Sequence, residues 1–268
     1  MMAFERLLVG VDGSPESLIA LRQAIRLRKP GGHLTALTIV NSAQAVHAGF
    51  EAPRAAAQLH AEGKAAREAA IEIVAGLGQV ETRLIDGRPG PALRAIADHE
   101  HIDLIAVGSH GWTRTGGTVF ESVGTELLHQ APCPVLLSRP CEDPTGFPRR
   151  IIVGVDGSDN SQQAISVAAE LVARLGAQLH VIAAEGGKSI DRDDVRAVRP
   201  TNPEDIEFVP EAPVDALVAA SHIADLVIVG SRGVHGLRAL GSVSERVAHQ
   251  AGCSVLVIRP EAPSEAGQ

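Results

Sequence analysis

The sequence predicts an α/β protein of two tandem domains, each built on a doubly wound parallel sheet. The first observation is an internal repeat: VGVDGSPES at residues 9–17 returns as VGVDGSDNS at residues 153–161, which indicates two copies of one structural unit. The repeat continues further along the chain, where AVGSHG (106–111) matches IVGSRG (228–233). The second observation is that short apolar runs alternate with helical patterns, as in βαβ units with right-handed crossovers.

The predicted elements follow the same order in both units. A short apolar strand, RLLVGV (6–11) or RIIVGV (150–155), precedes Asp-Gly-Ser and a helix. Ser14 and Ser158 are predicted N-caps, and Pro15 suits the first helical position. Further strands are predicted at 33–40 and 101–108, and at 178–184 and 223–230. The strands at 101–108 and 223–230 are apolar at consecutive positions, which is typical of parallel strands covered on both faces.

The two units differ in length between their second and fourth strands. Gly10 and Gly154 are 144 residues apart, whereas Gly108 and Gly230 are 122 apart, so the second unit lacks 22 residues. The first unit has an amphipathic helical pattern at 58–78, and we expect a surface loop with at most a short helix in its counterpart. Losing a helix uncovers a sheet face, and contact with another copy of the chain is one candidate for covering it.

These patterns also predict the domain boundaries. Domain 1 is expected at residues 1–140 and domain 2, which lacks most of one helix, at 148–260. Residues 141–147 lie in a proline-rich stretch and are the predicted linker. Residues 261–268 are a predicted disordered tail.

Composition excludes several classes of function. The net charge is −8, from 24 Lys and Arg against 32 Asp and Glu, and no basic run indicates a nucleic-acid partner. No apolar run approaches the about 18 residues of a membrane span, and no secretory pattern opens the chain, so we expect a cytoplasmic protein without membrane contact. Cys133 and Cys253 occupy equivalent positions before apolar strands and are predicted to be buried, inert thiols. Without ligand spacing among histidines and cysteines, no metal site is predicted.

The strongest candidate site follows the strand at 223–230. Gly230-Ser231-Arg232-Gly233 is followed, after seven residues, by Gly241-Ser242-Val243-Ser244. Glycines let a backbone approach a ligand closely, and successive amides at a turn or helix start bind anions. The carboxyl ends of parallel strands are also where open α/β sheets bind ligands. The pattern therefore indicates a phosphate site, with an ordinary glycine turn and a capping serine as the structural alternative.

VGVDGS, then GSxG, then GSVSERVAH before an apolar final strand resembles the universal stress protein family, and the likeness covers nearly the whole chain, twice. The resemblance implies an adenine-nucleotide-hydrolase-like fold with strand order 3-2-1-4-5 in each domain. It also implies an intramolecular pseudo-dimer in which the final strands, 134–138 and 254–258, meet across a twofold axis. The implied ligand is ATP, with or without Mg²⁺, or AMP or another adenine nucleotide.

The same resemblance assigns roles to particular residues. In the second unit, Asp156 and the amide of Val155 would meet adenine, and Ala183 would line its pocket. The phosphates and ribose would be surrounded by Gly230, Arg232, Gly233, Gly241, Ser242, Val243 and Ser244. The corresponding residues of the first unit are Val11, Asp12, Val40, Gly108, His110, Gly111, Ser122, Val123 and Gly124. A purely structural interpretation also exists, because Asp12 and Asp156 are typical of turns in which a carboxylate accepts nearby amides.

Departures from the family pattern make the two units unequal. The second unit has seven residues between its glycine motifs instead of about nine, but keeps the glycines. The first unit has Glu121 where the second glycine is expected. A carboxylate about 5 Å from a phosphate charge, at an effective dielectric near 20, costs roughly 3 kcal/mol, or about a hundredfold in affinity. Glu121 could also occupy the anion site itself. The second unit is therefore the better predicted site.

Ligand binding, rather than catalysis, is the predicted function. EGGKS (185–189) lacks the first glycine of a Walker A motif, since Ile182 stands at that position. No GxGxxG follows either first strand, and no nucleophile or general base is identifiable. We therefore expect a stress-response protein with an adenine nucleotide as regulatory ligand and at most weak ATPase activity. A nucleotide-independent protein-interaction scaffold and a slow nucleotide hydrolase are the alternatives.

Overall fold

The computed structural model describes residues 4–109, 123–186, 190, 192–197, 206–231 and 242–259, without the side chains of 46–50 and 242. The chain divides into two units. The first contains Phe4–Ala131 and Leu137–Arg139, and the second contains Pro132–Leu136 and the chain from Pro140 onward. The predicted boundaries at 140 and 148 stay predictions. The predicted tail, residues 261–268, lies outside the described residues.

The first unit alternates strands and helices. Its elements are β1 (Arg6–Gly10), α1 (Pro15–Leu27), β2 (His33–Val40), a 3₁₀ helix (Ser42–Glu51), α2 (Ala52–Val74), β3 (Val80–Asp86), α3 (Pro89–His99), β4 (Leu104–Gly108) and α4 (Val123–Gln130). The next strand, β5 (Val135–Ser138), completes this repeat and has residues in both units. The strand order is β3-β2-β1-β4-β5. β1 pairs in parallel with both β2 and β4, so the chain runs outward from β1 in one direction and then in the other.

The second unit repeats this plan. Its elements are β6 (Arg150–Gly154), α5 (Asp159–Leu175), β7 (Gln178–Ala184), α6 (Arg192–Ala197), β8 (Ile206–Val209), α7 (Pro213–Ser221), β9 (Leu226–Gly230), α8 (Ser242–Gln250) and β10 (Ser254–Ile258). The order is β10-β9-β6-β7-β8. When β6 to β10 are numbered 1 to 5 and the sheet is followed from β8 to β10, this order is 3-2-1-4-5. The tandem parallel α/β fold predicted from the sequence is thus confirmed, whereas the pseudo-dimer stays a prediction.

Packing on both faces explains the apolar strands. Leu104, Ile105 and Ala106 of β4 are fully buried, and so are Leu226 and Val227 of β9. Helix α1 contacts β1 and β4, while α3 contacts β1 and β2 and also packs against α4. Consecutive burial of this kind requires cover on both faces of the sheet.

The predicted helix starts are confirmed. The hydroxyl of Ser14 accepts the amide of Ser17 at 3.2 Å, and that of Ser158 accepts the amide of Ser161 at 3.3 Å. Pro15 is the first residue of α1. Each serine satisfies one of the amides that a helix start leaves without a partner.

Helix α6 stands where the first unit has the much longer α2. Helix α2 has 23 residues and α6 has six. The guanidinium of Arg192 lies 4.7 Å from the ring centroid of Phe208 in β8 and bonds both carboxylate oxygens of Glu185, at 2.5 and 2.7 Å. These hydrogen bonds hold the pKa of Glu185 below its ordinary value. Val195 is fully buried, and the backbone of Asp194 and Val195 lies close to Gly157 in the turn after β6.

The expected burial of Cys133 and Cys253 is confirmed. Within the described ranges, no helix is long and apolar enough to cross a membrane.

A carboxylate ties the start of β1 to the segment before β4. Oδ2 of Asp103 accepts the amides of Glu5 and Arg6 at 2.6 and 3.0 Å. Burial raises the pKa of Asp103, and these two hydrogen bonds oppose that rise. Asp225 accepts the amides of Arg149 and Arg150 at 2.8 and 2.9 Å in the second unit, so both units use the same tie.

Asp103→Asn tests the cost of this buried charge. An acid whose pKa is raised by folding loses stability as pH rises from its ordinary pKa, 3.8 here, to the raised value. Asparagine keeps the acceptor oxygen and does not titrate. We therefore expect the free energy of unfolding of the variant, relative to wild type, to increase between pH 4 and pH 7 in urea titrations. A relative stability independent of pH would contradict this account.

Candidate functional site

A cavity of about 110 Å³ opens in the second unit, at the carboxyl edge of its sheet. Strands β6, β7 and β9, the turn after β6 and the starts of α5, α7 and α8 all contribute to it. Its described lining residues are Gly154, Val155, Asp156, Ser158, Ser161, Ile182, Ala184, Ile190, Pro213, Leu217, Val229, Gly230, Val243 and Ser244. β6 lies between β7 and β9, so the cavity lies where the sheet changes direction, the usual ligand position in open α/β sheets.

The Asp-Gly-Ser turn forms one side of the cavity. Oδ1 of Asp156 accepts the amide of Ser158 at 3.1 Å and its hydroxyl at 2.6 Å. Asp12 makes the same bonds to Ser14, at 3.0 and 2.5 Å. Gly157 has a φ of +81°, a conformation that side chains rarely adopt. The turn is therefore stabilised by its own hydrogen bonds, as the structural interpretation predicts, while Asp156 also borders the cavity.

The amide of Val155 has a structural partner. It donates to the carbonyl of Ile182 at 2.9 Å, and the amide of Val11 donates to Leu37 in the same way, also at 2.9 Å. These bonds extend the β6–β7 and β1–β2 pairings by one residue. The expectation that this amide meets adenine is corrected by its use in the sheet, although the rest of Val155 still lines the cavity.

Strand register corrects the position assigned to Ala183. Gly154 is paired with Ile182, and Gly10 with Leu37. Counting from these pairs, Ala183 corresponds to Thr38, and Val40 corresponds to Glu185 rather than to Ala183. Side chains alternate along a strand, so the cavity wall is formed by Ile182 and Ala184, while the fully buried Ala183 lies on the other face.

Gly230, the first glycine of the candidate phosphate motif, is required for packing. A Cβ at this position would lie 2.7 Å from the backbone carbon and oxygen of Asn160 in α5. In the first unit, a Cβ at Gly108 would lie 2.8 Å from the backbone carbon of Glu16. The side-chain amide of Asn160 donates to the carbonyl of Ser231. Both strand ends therefore lie directly against the first turn of a helix.

Much of the predicted phosphate region lies beyond the described part of the chain. The residues concerned are His110, Gly111, Glu121, Ser122, Arg232, Gly233 and Gly241. Ser242 is the first residue of α8, but its side chain is not described. Val243 and Ser244 of α8 do line the cavity. Their counterparts Val123 and Gly124 begin α4.

Several lining residues were missed in the sequence. Ser158 and Ser161 belong to the recognised turn, and strand alternation alone would have pointed to Ala184. Pro213 and Leu217 come from α7, outside any recognised motif. Leu217 reaches the cavity because β6 has a glycine beneath it: a Cβ on Gly154 would lie 2.8 Å from a Leu217 methyl carbon. Only the folded chain brings these elements together.

The arrangement can hold a ligand that is apolar at one end and anionic at the other. Ile182, Ala184 and Leu217 offer apolar surface. Ser244 lies in the first turn of α8, a nine-residue helix whose N-terminal amides and dipole favour negative charge. Among the described lining residues, no side chain is cationic, so this part of the site attracts anions through its backbone.

Comparison with known proteins agrees with this architecture. A model of the universal stress protein family matches residues 3–139, 148–190 and 183–259. The chain therefore belongs to the universal stress protein family, as a member with tandem domains. A universal stress protein of Mycolicibacterium smegmatis is 30% identical, over 95% of this chain and 97% of its own length.

Two further similarities extend over the whole chain. A universal stress protein of Mycobacterium tuberculosis strain H37Rv is 28% identical, over 94% of this chain and 96% of its own. The crystal structure of a universal stress protein from Archaeoglobus fulgidus superposes with a TM-score of 0.70. It is 22% identical and covers 94% of this chain and 95% of its own, a likeness that shows the fold.

Gly230→Ala tests whether the contact between β9 and α5 is rigid. The added Cβ meets helix backbone, which cannot rotate away, so we expect a loss of about 1–3 kcal/mol in the free energy of unfolding. Gly78→Ala is the control, because nothing lies within 4 Å of its Cβ position, and its stability should change by less than about 0.5 kcal/mol. Equal urea midpoints for both variants would show that the helix yields readily.

Proposed function

We propose that this chain is a cytoplasmic stress-response protein that binds ATP or another adenine nucleotide as a regulatory ligand, primarily in its second unit. The observation that carries the proposal is the cavity itself. It combines apolar walls with the N-terminus of α8 at the point where the sheet changes direction. Small-molecule sites are typically cavities that are mostly apolar, in which a small number of polar groups orient the ligand.

The apolar wall suits a flat heterocyclic base. Ile182, Ala184 and Leu217 present methyl and methylene groups, and Val229 is a further apolar lining residue. Burying the faces of an aromatic ring against such groups contributes roughly 25 cal/mol per Å² of apolar surface. Among the described residues that line the cavity, Asp156 is the one with a carboxylate. A carboxylate there suits a ligand with N–H or hydroxyl donors, as a nucleoside has.

The start of α8 suits the phosphates. Val243 is half-buried and Ser244 is buried in its first turn, so a bound anion would meet backbone amides and a hydroxyl. The glycine-containing segment before α8, with Gly233 and Gly241, is the proposed remainder of this region. Mg²⁺, if it accompanies ATP, would be carried in with the nucleotide.

A regulatory role fits the chemistry of the described lining residues better than catalysis. The hydroxyl of Ser161 donates to the Ser158 carbonyl at 2.8 Å, and Oδ1 of Asp156 accepts two bonds from Ser158. These groups hold the turn together instead of activating a water molecule. Any hydrolysis is therefore proposed to be slow. The first unit, with Asp12 in an equivalent turn, is the proposed weaker site.

Val243→Glu tests the phosphate end of the site while sparing the fold. A carboxylate in the first turn of a helix is favourable for the helix, but about 5 Å from a phosphate it costs roughly 3 kcal/mol. We expect calorimetric titration to show ATP affinity falling by about a hundredfold, and less at high salt because of screening. Adenosine binding should change little.

Val243→Gln is the matched control, since glutamine has nearly the same shape as glutamate but carries no charge. The difference in ATP affinity between the two variants measures the electrostatic effect alone. Equal ATP affinities would place the phosphates elsewhere. Two results together would overturn nucleotide binding: wild-type protein that binds no nucleotide at millimolar ATP, and purified protein from which mass spectrometry detects no released nucleotide. The nucleotide-independent protein-interaction scaffold would then be favoured.

A further inference from the structure

The cavity of the second unit can be compared position by position with the first unit. The strand register, the equivalent turns and the equivalent helix starts give a counterpart for each described lining residue except Ile190. Of these thirteen pairs, ten have the same residue type. The two units therefore present nearly the same wall, and the few differences stand out.

Three pairs differ. Ile182 corresponds to Leu37, which has the same number of carbon atoms. Ser244 corresponds to Gly124 and adds a hydroxyl to the second unit. Ala184 corresponds to Ile39, because each lies two residues beyond the residue paired with the last glycine of the first strand. Only this last pair enlarges the cavity of the second unit.

Ala184 and Ile39 are buried side chains of different size at equivalent strand positions. Ile39 is buried, with 4% of its surface exposed, and Ala184 is 8% exposed. Isoleucine has three more carbon atoms than alanine, and Ala184 lines the cavity. A β-branched side chain in a strand has restricted χ1 freedom, so Ile39 cannot easily turn out of the corresponding space.

We infer that the residue at this position decides which unit accepts the base: Ala184 leaves room for it in the second unit, and Ile39 fills the equivalent space in the first. This inference rests on the proposed function and deepens it. The first unit, the weaker site of the proposed function, is thereby closed to the base, and the chain binds one nucleoside. The specificity-determining residue lies on the sheet rather than in the glycine motifs. It acts on the base and is independent of any charge near the phosphates.

The experiment exchanges the two residues and uses adenosine as the probe, since it has the base without the phosphates. Ala184→Ile should weaken adenosine binding by about tenfold or more, because added carbons in a close-fitting pocket discriminate on that scale. Ala184→Val should give an intermediate loss. Ile39→Ala should raise the stoichiometry from one to two adenosines per chain in equilibrium dialysis, a gain that general damage to the fold cannot produce.

His180→Ile is the matched control. It introduces the same side chain at an exposed position of the same strand, on the same face but outside the cavity, and should bind adenosine as wild type does. Thermal unfolding of every variant identifies any loss of fold. Ile39→Val, which removes a single carbon, supplies a milder test in the first unit should Ile39→Ala unfold.

The outcomes separate the two proposals. Failure of wild-type protein to bind either adenosine or ATP would overturn the proposed function. Binding of two adenosines by wild type, or unchanged affinity in folded Ala184→Ile and Ala184→Val, would overturn the inference and leave nucleotide binding intact. A stoichiometry of one in folded Ile39→Ala and Ile39→Val would overturn the assignment of Ile39.

Discussion

The close approach of one strand end to one helix start is the constraint on which the rest of each unit depends. Gly230 lies against the backbone of Asn160, and Gly108 against that of Glu16, where a Cβ would lie within 2.8 Å of helix atoms. Because no side chain intervenes, the first helix begins directly beside the fourth strand. The Asp-Gly-Ser turn is thereby held at the carboxyl edge, and the second unit's cavity opens there.

The turn needs no ligand to keep its shape. Asp156, Ser158 and Ser161 bond one another, and the preceding amide extends the sheet. A preorganised frame loses little entropy when a ligand binds, so selectivity can be adjusted by the side chains on its walls. The second unit keeps this frame although a six-residue helix replaces a 23-residue one, because α6 is anchored by Arg192, Phe208 and the buried Val195.

Particular residues show how far the sequence could be interpreted. The serine N-caps, the buried strands and the turn aspartates follow local rules, and each has the predicted environment. The alignment of Val40 with Ala183 was wrong by two positions, because the ends of apolar runs do not report strand register. The family resemblance assigned the amide of Val155 to the ligand, and a sequence does not show that the strand pairing extends one residue beyond the last glycine of β6.

The sequence by itself determined the duplication, the first, second, fourth and last strands of each unit, and the edge of the sheet where a ligand would bind, because repeats and apolar periodicity are local properties. Only the tertiary structure decided which side chains form the cavity. Leu217 and Ala184 are 33 residues apart in sequence and line one cavity because the crossovers return α7 over β6 and β7. The contrast between Ala184 and Ile39 likewise became visible only once strand register placed them at the same position.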